Sequence, residues 1–307
     1  MKWGIIGLDL IADEFIKKLK KLNLCYEIYC EDQTHNMSQK EDVKIYYKLE
    51  DFLKRQDIDI VYISTYLNLH QEYIEKALAY GKHVFCEKPM FRNKDDALRA
   101  YQIAKEKALW IGEANTLFYM PLYERLKDEL YKIGKIKMIR AEFGSLKEED
   151  CLSPIYQKEL GGGALYDIGI YALTAVLNYM EGNVVEVKAC HYQHKFDVDE
   201  RWGILLKSDK QELASILLSI RNKLDKRFVI AGDQAYIEIM NYPRADKMKI
   251  IYPDMKTEII EAGFTSDAVM YEIKTVEDQI AHGRIDNQNM LNTIKVMEIM
   301  DQLKGAC

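Results

Sequence analysis

"KWGIIGLDLIADEF", residues 2–15, is the stretch on which the fold turns. Its apolar run ends at Gly7, and from Leu10 onward apolar residues recur at helical spacing with lysines on the outer face. The pattern predicts a strand, a tight turn and a helix. A dinucleotide-binding unit opens in this way. Its first glycine permits the turn, its second lets the backbone meet a pyrophosphate, and a small third residue lets helix and strand pack. Gly7 and Ala12 suit the first and third roles, whereas Asp9 stands at the second. A carboxylate about 5 Å from one pyrophosphate charge is repelled by roughly 3 kcal/mol at an effective dielectric near 20. A helix N-terminus offers an anion only about 0.3–1 kcal/mol at an exposed site. Asp9 therefore opposes the pyrophosphate unless its side chain turns to solvent, pairs with a cation, or caps the helix through the helix's own N–H groups, in which case the aspartate fills the anion site itself.

Strand and helix then alternate. "CYEIYC", "IDIVYIST", "HVFCEKP" and "LWIGEANT" read as strands, and "KLEDFLKRQ", "HQEYIEKALAYG" and "NKDDALRAYQIAKEKA" as helices. Strict alternation predicts right-handed crossovers and a parallel sheet, with ligands at the carboxyl ends of the strands. After about Leu117 the pattern changes. One helix, "PLYERLKDELYKIG", leads into strand-like segments at hairpin spacing, from "IKMIRAEFG" to "MKIIYP", interrupted once by "GGGALYDIGIYALTAVLNYM". Their polar–apolar alternation predicts a large open, mainly antiparallel sheet with helices on one face. The fold class is α/β, with a doubly wound domain at 1–117 and a second α/β domain at 118–307.

With 307 residues, 48% of them apolar and 30% charged, the chain is long enough for two domains with real cores. A net charge of −6 argues against nucleic acid or an anionic membrane as the main partner. No uninterrupted apolar run has the length of a membrane span, and Asp9, Asp13 and Glu14 break the first one, so a cytoplasmic protein is expected. The six cysteines form no C-x-x-C pair and read as free thiols; with the histidines dispersed as well, no metal site is expected.

Three further cues bear on chemistry. At the tip of the second strand, Glu31, or alternatively Asp32, can accept adenosine ribose hydroxyls and would repel a 2′-phosphate. Lys88, immediately before a proline at a strand's carboxyl end, is held on a stiff backbone and can polarise a substrate oxygen. In "GGGALYDIGIY", three glycines would let the backbone approach a ligand, and Asp167 and Tyr171 are one helical turn apart. Each cue has an ordinary alternative: a solvated loop charge, a surface lysine, a polar helix face.

The strand–turn–helix opening, "EKP", "EA" at 113–114 and "GGGALYDIGIY", taken in that order, resemble the glucose–fructose oxidoreductase/inositol dehydrogenase/MocA family. The likeness is closer to its dihydrodiol dehydrogenase-like branch, whose helix carries a tyrosine four residues after the aspartate. It extends over nearly the whole chain, including "VDERWGILLKSDKQELASILLSIR" and "RFVIAGDQAYIEIMNY". The resemblance implies an NAD(P)-dependent oxidoreductase acting on a sugar, cyclitol or related polyol, with NAD expected over NADP because of Glu31. Lys88, Asp167 and Tyr171 match the family's catalytic positions: Tyr171 would pass the hydroxyl proton, Lys88 would stabilise the tyrosinate or substrate oxygen, and Asp167 would orient the substrate. Gly7, Asp9, Leu10, Ile11, Ala12, Glu31, Thr65, Tyr66, His70, Glu87 and Lys88 fall at cofactor positions. A homodimer or homotetramer through the C-terminal sheet is also implied.

The chain departs from that pattern at three places: Asp9, Tyr66 where a proline is usual, and Phe118 where the branch commonly has arginine. These motivate an alternative, a sugar-binding, regulatory or scaffold member that has lost its cofactor. A third possibility is non-redox chemistry in which NAD is reduced and reoxidised within one turnover.

Overall fold

The computed structural model describes residues 1–31 and 43–305. β-Branched and aromatic residues place the first strands, and amphipathic stretches fold back between them. The order is β1 (Lys2–Ile6), α1 (Leu10–Lys21), β2 (Cys25–Tyr29), β3 (Ile45–Tyr46), α2 (Leu49–Leu53), β4 (Ile60–Ile63), α3 (Leu67–Ala79), β5 (His83–Glu87), α4 (Lys94–Glu106) and β6 (Ile111–Ala114). The six strands pair in parallel, in the order β3-β2-β1-β4-β5-β6. Chain progression reverses between β1 and β4, so a crevice opens at their carboxyl ends.

Helices on both faces bury the central strands completely; every residue of β4 is buried. α1 contributes Ala12, Phe15, Ile16 and Leu19 to the core, and lysines in its last turn complement the helix dipole. Phe15 stacks on Tyr62 at 3.8 Å between ring centres, and Trp3 meets Phe15 edge-on at 5.2 Å. This aromatic layer fixes the Tyr62 hydroxyl under the crevice.

The following elements are α5 (Pro121–Glu129), β7 (Ile136–Gly144), α6 (Ile170–Tyr179), β8 (Val184–Gln193), β9 (Asp199–Ser208), β10 (Leu213–Ser219), β11 (Leu224–Gly232), β12 (Tyr236–Met240), β13 (Lys247–Ile251) and β14 (Thr257–Glu261). They build an eight-stranded sheet in the order β14-β13-β12-β11-β7-β10-β9-β8. All its pairings are antiparallel except β7 with β10. In β9, buried Trp202, Ile204 and Leu206 alternate with more exposed residues, the signature of a sheet covered on one face. α6 supplies the cover, with Leu173 and Val176 fully buried. The stretch Lys158–Tyr179 is long and apolar enough to cross a membrane, yet two-thirds of its apolar window is buried inside the protein, as befits a core helix.

The chain closes with α7 (Ala268–Ala281) and α8 (Gln288–Gly305). It divides into two compact units, the first made of 1–114 and 269–291, the second of 115–268 and 292–307. Within the first unit, Trp3 Nε1 donates to Glu277 Oε1 at 3.2 Å and Trp110 Nε1 to Gln279 Oε1 at 2.9 Å, so α7 packs on the parallel sheet. β3 and β14 are the two strands that hydropathy patterning leaves out; each is a short edge strand.

Candidate functional site

In the first unit a cavity of about 570 Å³ opens at the carboxyl ends of β1, β2 and β4. That lies within the range of small-molecule and cofactor sites. Its walls include Gly7, Asp9, Leu10, Glu31, Thr65 and Tyr66. Gly7 has φ +99°, and a Cβ there would lie 1.8 Å from the Ser64 carbonyl oxygen, so only glycine fits this turn.

Asp9 is the N-cap of α1. Its Oδ1 accepts the Ala12 N–H at 2.7 Å and the Ser64 hydroxyl at 2.7 Å. Of the three ways in which the charge could be accommodated, the fold uses capping, reinforced by a serine from β4's end. The carboxylate thereby takes an N–H donor at the helix N-terminus, where an anion would otherwise bind, and stays in the cavity wall. Immediately beyond it, Leu10 is 87% and Ile11 42% exposed, apolar surface that a bound ligand would cover. A turn closed to anything but glycine, a cavity of cofactor size and an apolar rim fit a dinucleotide, against which the Asp9 charge in the cavity wall works.

Glu31 lies in the cavity wall and accepts the Tyr73 hydroxyl at 3.4 Å; Asp32 falls outside the described residues. Tyr66 is the N-cap residue of α3 and half exposed at the cavity. His70 is buried, its Nε2 3.1 Å from the Thr65 carbonyl oxygen and its Nδ1 3.0 Å from that of Pro89. Burial holds its pKa below the ordinary value, although both carbonyls and the Asp9 charge favour the protonated ring. The Lys88–Pro89 peptide is cis. On the other side of this turn, buried Glu113 accepts the Met90 N–H at 3.0 Å. The "EKPM" segment that carries Lys88 is thus clamped by His70 from α3 and Glu113 from β6. Glu87 accepts the Tyr62 hydroxyl at 2.5 Å. Burial pushes the Glu87 carboxyl up to about 7; the Asp9 charge adds to this, while Tyr62 and Lys88 oppose it.

In the second unit the glycine run serves the protein's own packing. Gly163 has φ +110°, and a Cβ on it would lie 2.0 Å from Asp199 Oδ1; one on Gly162 would lie 2.6 Å from the Ile155 carbonyl oxygen. At Gly162 and Gly163 the close approach is therefore made by the protein itself and not by a ligand. Half-buried Asp199 accepts the Leu165 N–H and the Trp202 indole N–H, each at 2.6 Å, and so pins the start of the helix. The helix begins with a π turn over Leu165–Gly169 before α6 proper. Such wide turns often mark functional sites. Asp167 sits in this turn and pairs with Lys147 Nζ at 3.1 Å. Tyr171, in the next turn, packs on Phe143 of β7 with ring centres 6.0 Å apart. Asn115 Nδ2 donates to Thr174 Oγ1 at 3.2 Å, fastening α6 to the turn that carries half-buried Phe118.

Residues 1–113 match the model of the oxidoreductase family with an NAD-binding Rossmann fold, GFO/IDH/MocA. Residues 129–238 match the GFO/IDH/MocA C-terminal domain. The chain belongs to the GFO/IDH/MocA family. A trans-1,2-dihydrobenzene-1,2-diol dehydrogenase from Xenopus laevis is 30% identical over 257 residues, covering 78% of this chain and 76% of that protein. An IolU scyllo-inositol 2-dehydrogenase (NADP(+)) from Bacillus subtilis (strain 168) is 25% identical, covering 97% and 95%. These relatives place the chain with the dihydrodiol dehydrogenase-like branch. Among solved structures, the fold of the 3-ketoreductase KijD10 from Actinomadura kijaniata, in complex with NADP and TDP-benzene, matches with a TM-score of 0.88. That match has 21% identity and covers 99% of this chain and 97% of the other.

Several residues that hold candidate side chains carry no motif of their own: in the first unit Ser64 holding Asp9 and Tyr62 holding Glu87, and in the second Lys147 holding Asp167. Ser64 and Tyr62 could have been found from their place at the end of a buried strand next to the turn. Lys147 follows β7 in a charged loop, and nothing in its local sequence distinguishes it.

Proposed function

We propose that this chain is an NAD(P)-dependent oxidoreductase acting between a hydroxyl and a carbonyl of a sugar, cyclitol or related cyclic polyol. The observation that carries the reading is the cofactor-sized cavity at the carboxyl ends of β1, β2 and β4, reached by a turn that only glycine fits. Asp9 keeps its charge in that wall, hydrogen-bonded to the start of α1 and to Ser64, and weakens cofactor binding without closing the cavity. The nicotinamide, when bound, accepts or supplies the hydride. The chain's own residues do the rest. Tyr171 holds and passes the hydroxyl proton, Lys88 offers a cation that favours the tyrosinate or the developing oxyanion, and Asp167 orients the substrate. Lys147 keeps the Asp167 carboxylate in place.

NAD is favoured over NADP. Asp9, Asp13 and Glu31 line the cavity, and among the described lining residues there is no lysine or arginine to receive a 2′-phosphate. The reading takes 1–117 as the cofactor domain, with α7 added, and 118–307 as the substrate domain. It also makes the chain a cytoplasmic homodimer or homotetramer through the second unit's sheet. Met138, Leu205, Leu213 and Leu217 share one sheet face and are each half exposed, surface that a second copy would cover.

Fluorescence titration with NADH and NADPH, followed by a search for net NADH production from polyols, tests the function. Binding with production supports it. No binding at millimolar concentration removes it and leaves the sugar-binding or scaffold alternative. Light scattering of the purified chain tests the oligomer.

A further inference from the structure

Beside Tyr171, the second unit assembles positive charge that a neutral polyol has no use for. Lys226 of β11 lies over the Phe143 ring, its Nζ 4.7 Å from the ring centre, and the same ring packs against Tyr171. Phe143 also meets Tyr242 edge-on at 6.1 Å, so an aromatic cluster lies between Lys226 and Tyr171. Lys226 is half-buried, and the carboxylate charge that acts on its ammonium is that of Asp167. Burial lowers its pKa, the charges of Lys223, Lys147 and Arg244 lower it further, and Asp167 opposes them. Asp167 is itself paired, at 3.1 Å, with Lys147.

A half-buried ammonium among like charges is unfavourable unless something neutralises it. Surface lysines escape this cost by reaching into water, whereas Lys226 lies against an aromatic ring beside the tyrosine read as the proton carrier. Asp167 offsets part of this charge but is itself paired with Lys147, and a ligand anion would complete the balance.

We propose that the substrate of this site bears an oxyanion, a carboxylate or a phosphate, which Lys226 binds next to Tyr171 with Lys147 alongside. The inference rests on the oxidoreductase reading for what Tyr171 does, but the anion site can be tested without turnover. It narrows the substrate to sugar acids or sugar phosphates, and it makes Lys226 a specificity-determining residue.

The test is calorimetric titration of the full chain with D-gluconate, inorganic phosphate and myo-inositol, for the wild type, Lys226→Met and Lys226→Arg. At least one anion is expected to bind about tenfold more tightly than myo-inositol, to lose about tenfold in Lys226→Met, and to recover most of it in Lys226→Arg. Gluconate leading indicates a carboxylate, and phosphate leading a phosphoryl group. Should Lys226→Met fail to fold by circular dichroism, Lys226→Gln takes its place. Anions that bind no better than myo-inositol, or equally to wild type and variant, overturn the proposal. NADH titration on the same preparations separates the two readings. A chain that binds the anion through Lys226 but no NADH keeps the anion site and loses the oxidoreductase.

Discussion

The Ser64 hydroxyl donates to the same Asp9 oxygen that receives the Ala12 N–H, both at 2.7 Å. One carboxylate oxygen thus serves as helix cap and as the tie between β4's end and α1. Asp9→Asn keeps an acceptor at the cap and removes the charge. NADH should then bind about tenfold more tightly, the residue of a repulsion weakened by the cap. Asp9→Gly should tighten binding similarly while costing helix stability. Unchanged affinity in Asp9→Asn would show that capping has already silenced the charge.

Glu31 faces the cavity from the end of β2. The wild type is expected to bind NADH at least about tenfold more tightly than NADPH, and Glu31→Gln to narrow that ratio. Parallel fluorescence titrations measure both; a wild type that prefers NADPH refutes the assignment.

The Glu87 carboxyl is raised from 4.5 to about 7, chiefly by burial. Between those values the folded chain keeps a proton that the unfolded chain has released, so stability falls as pH rises through the window. The loss is on the order of 3 kcal/mol for a group this far shifted. Urea unfolding across the window should show the slope in the wild type and a flatter profile in Glu87→Gln.

Tyr171→Phe removes the hydroxyl assigned to proton transfer. The turnover number should drop about 100- to 10,000-fold. NADH titration of the same variant should match the wild type, because the cavity residues lie in the first unit. A variant with near-normal turnover would assign the proton to another group.

Gly163→Ala places a methyl group 2.0 Å from Asp199 Oδ1 at φ +110°. It should destabilise the chain by about 1–3 kcal/mol. Gly81→Ala, with φ +74° but no atom within 4 Å of its added carbon, is the control for backbone strain alone. Equal melting temperatures for the two variants would show that Asp199 simply moves aside.

The parallel sheet and the location of the cavity at its carboxyl ends were readable because both follow from the strict alternation of strand and helix: apolar runs of strand length, amphipathic helices and a glycine that must turn. So was Glu31, whose position follows from the length of β2. What stayed hidden depends on pairings made only by folding. Ser64 and Asp9 are far apart in the chain and meet because β1 and β4 are neighbours. The glycine run looked like a ligand cradle because glycine signals close approach, but it does not reveal what approaches; here it is Asp199. Lys226 reads as one more lysine in a strand until the bulge between β7 and β11 sets it against Phe143.

The packing of α7 on the parallel sheet has a consequence for how the chain is made. Trp3 and Trp110 find their indole partners on a helix encoded near the end of the sequence. On the ribosome, the earliest strands must therefore wait, with the patch under α7 uncovered, until that helix has emerged. A fragment cut after the first six strands would carry that bare patch permanently and would be prone to aggregate.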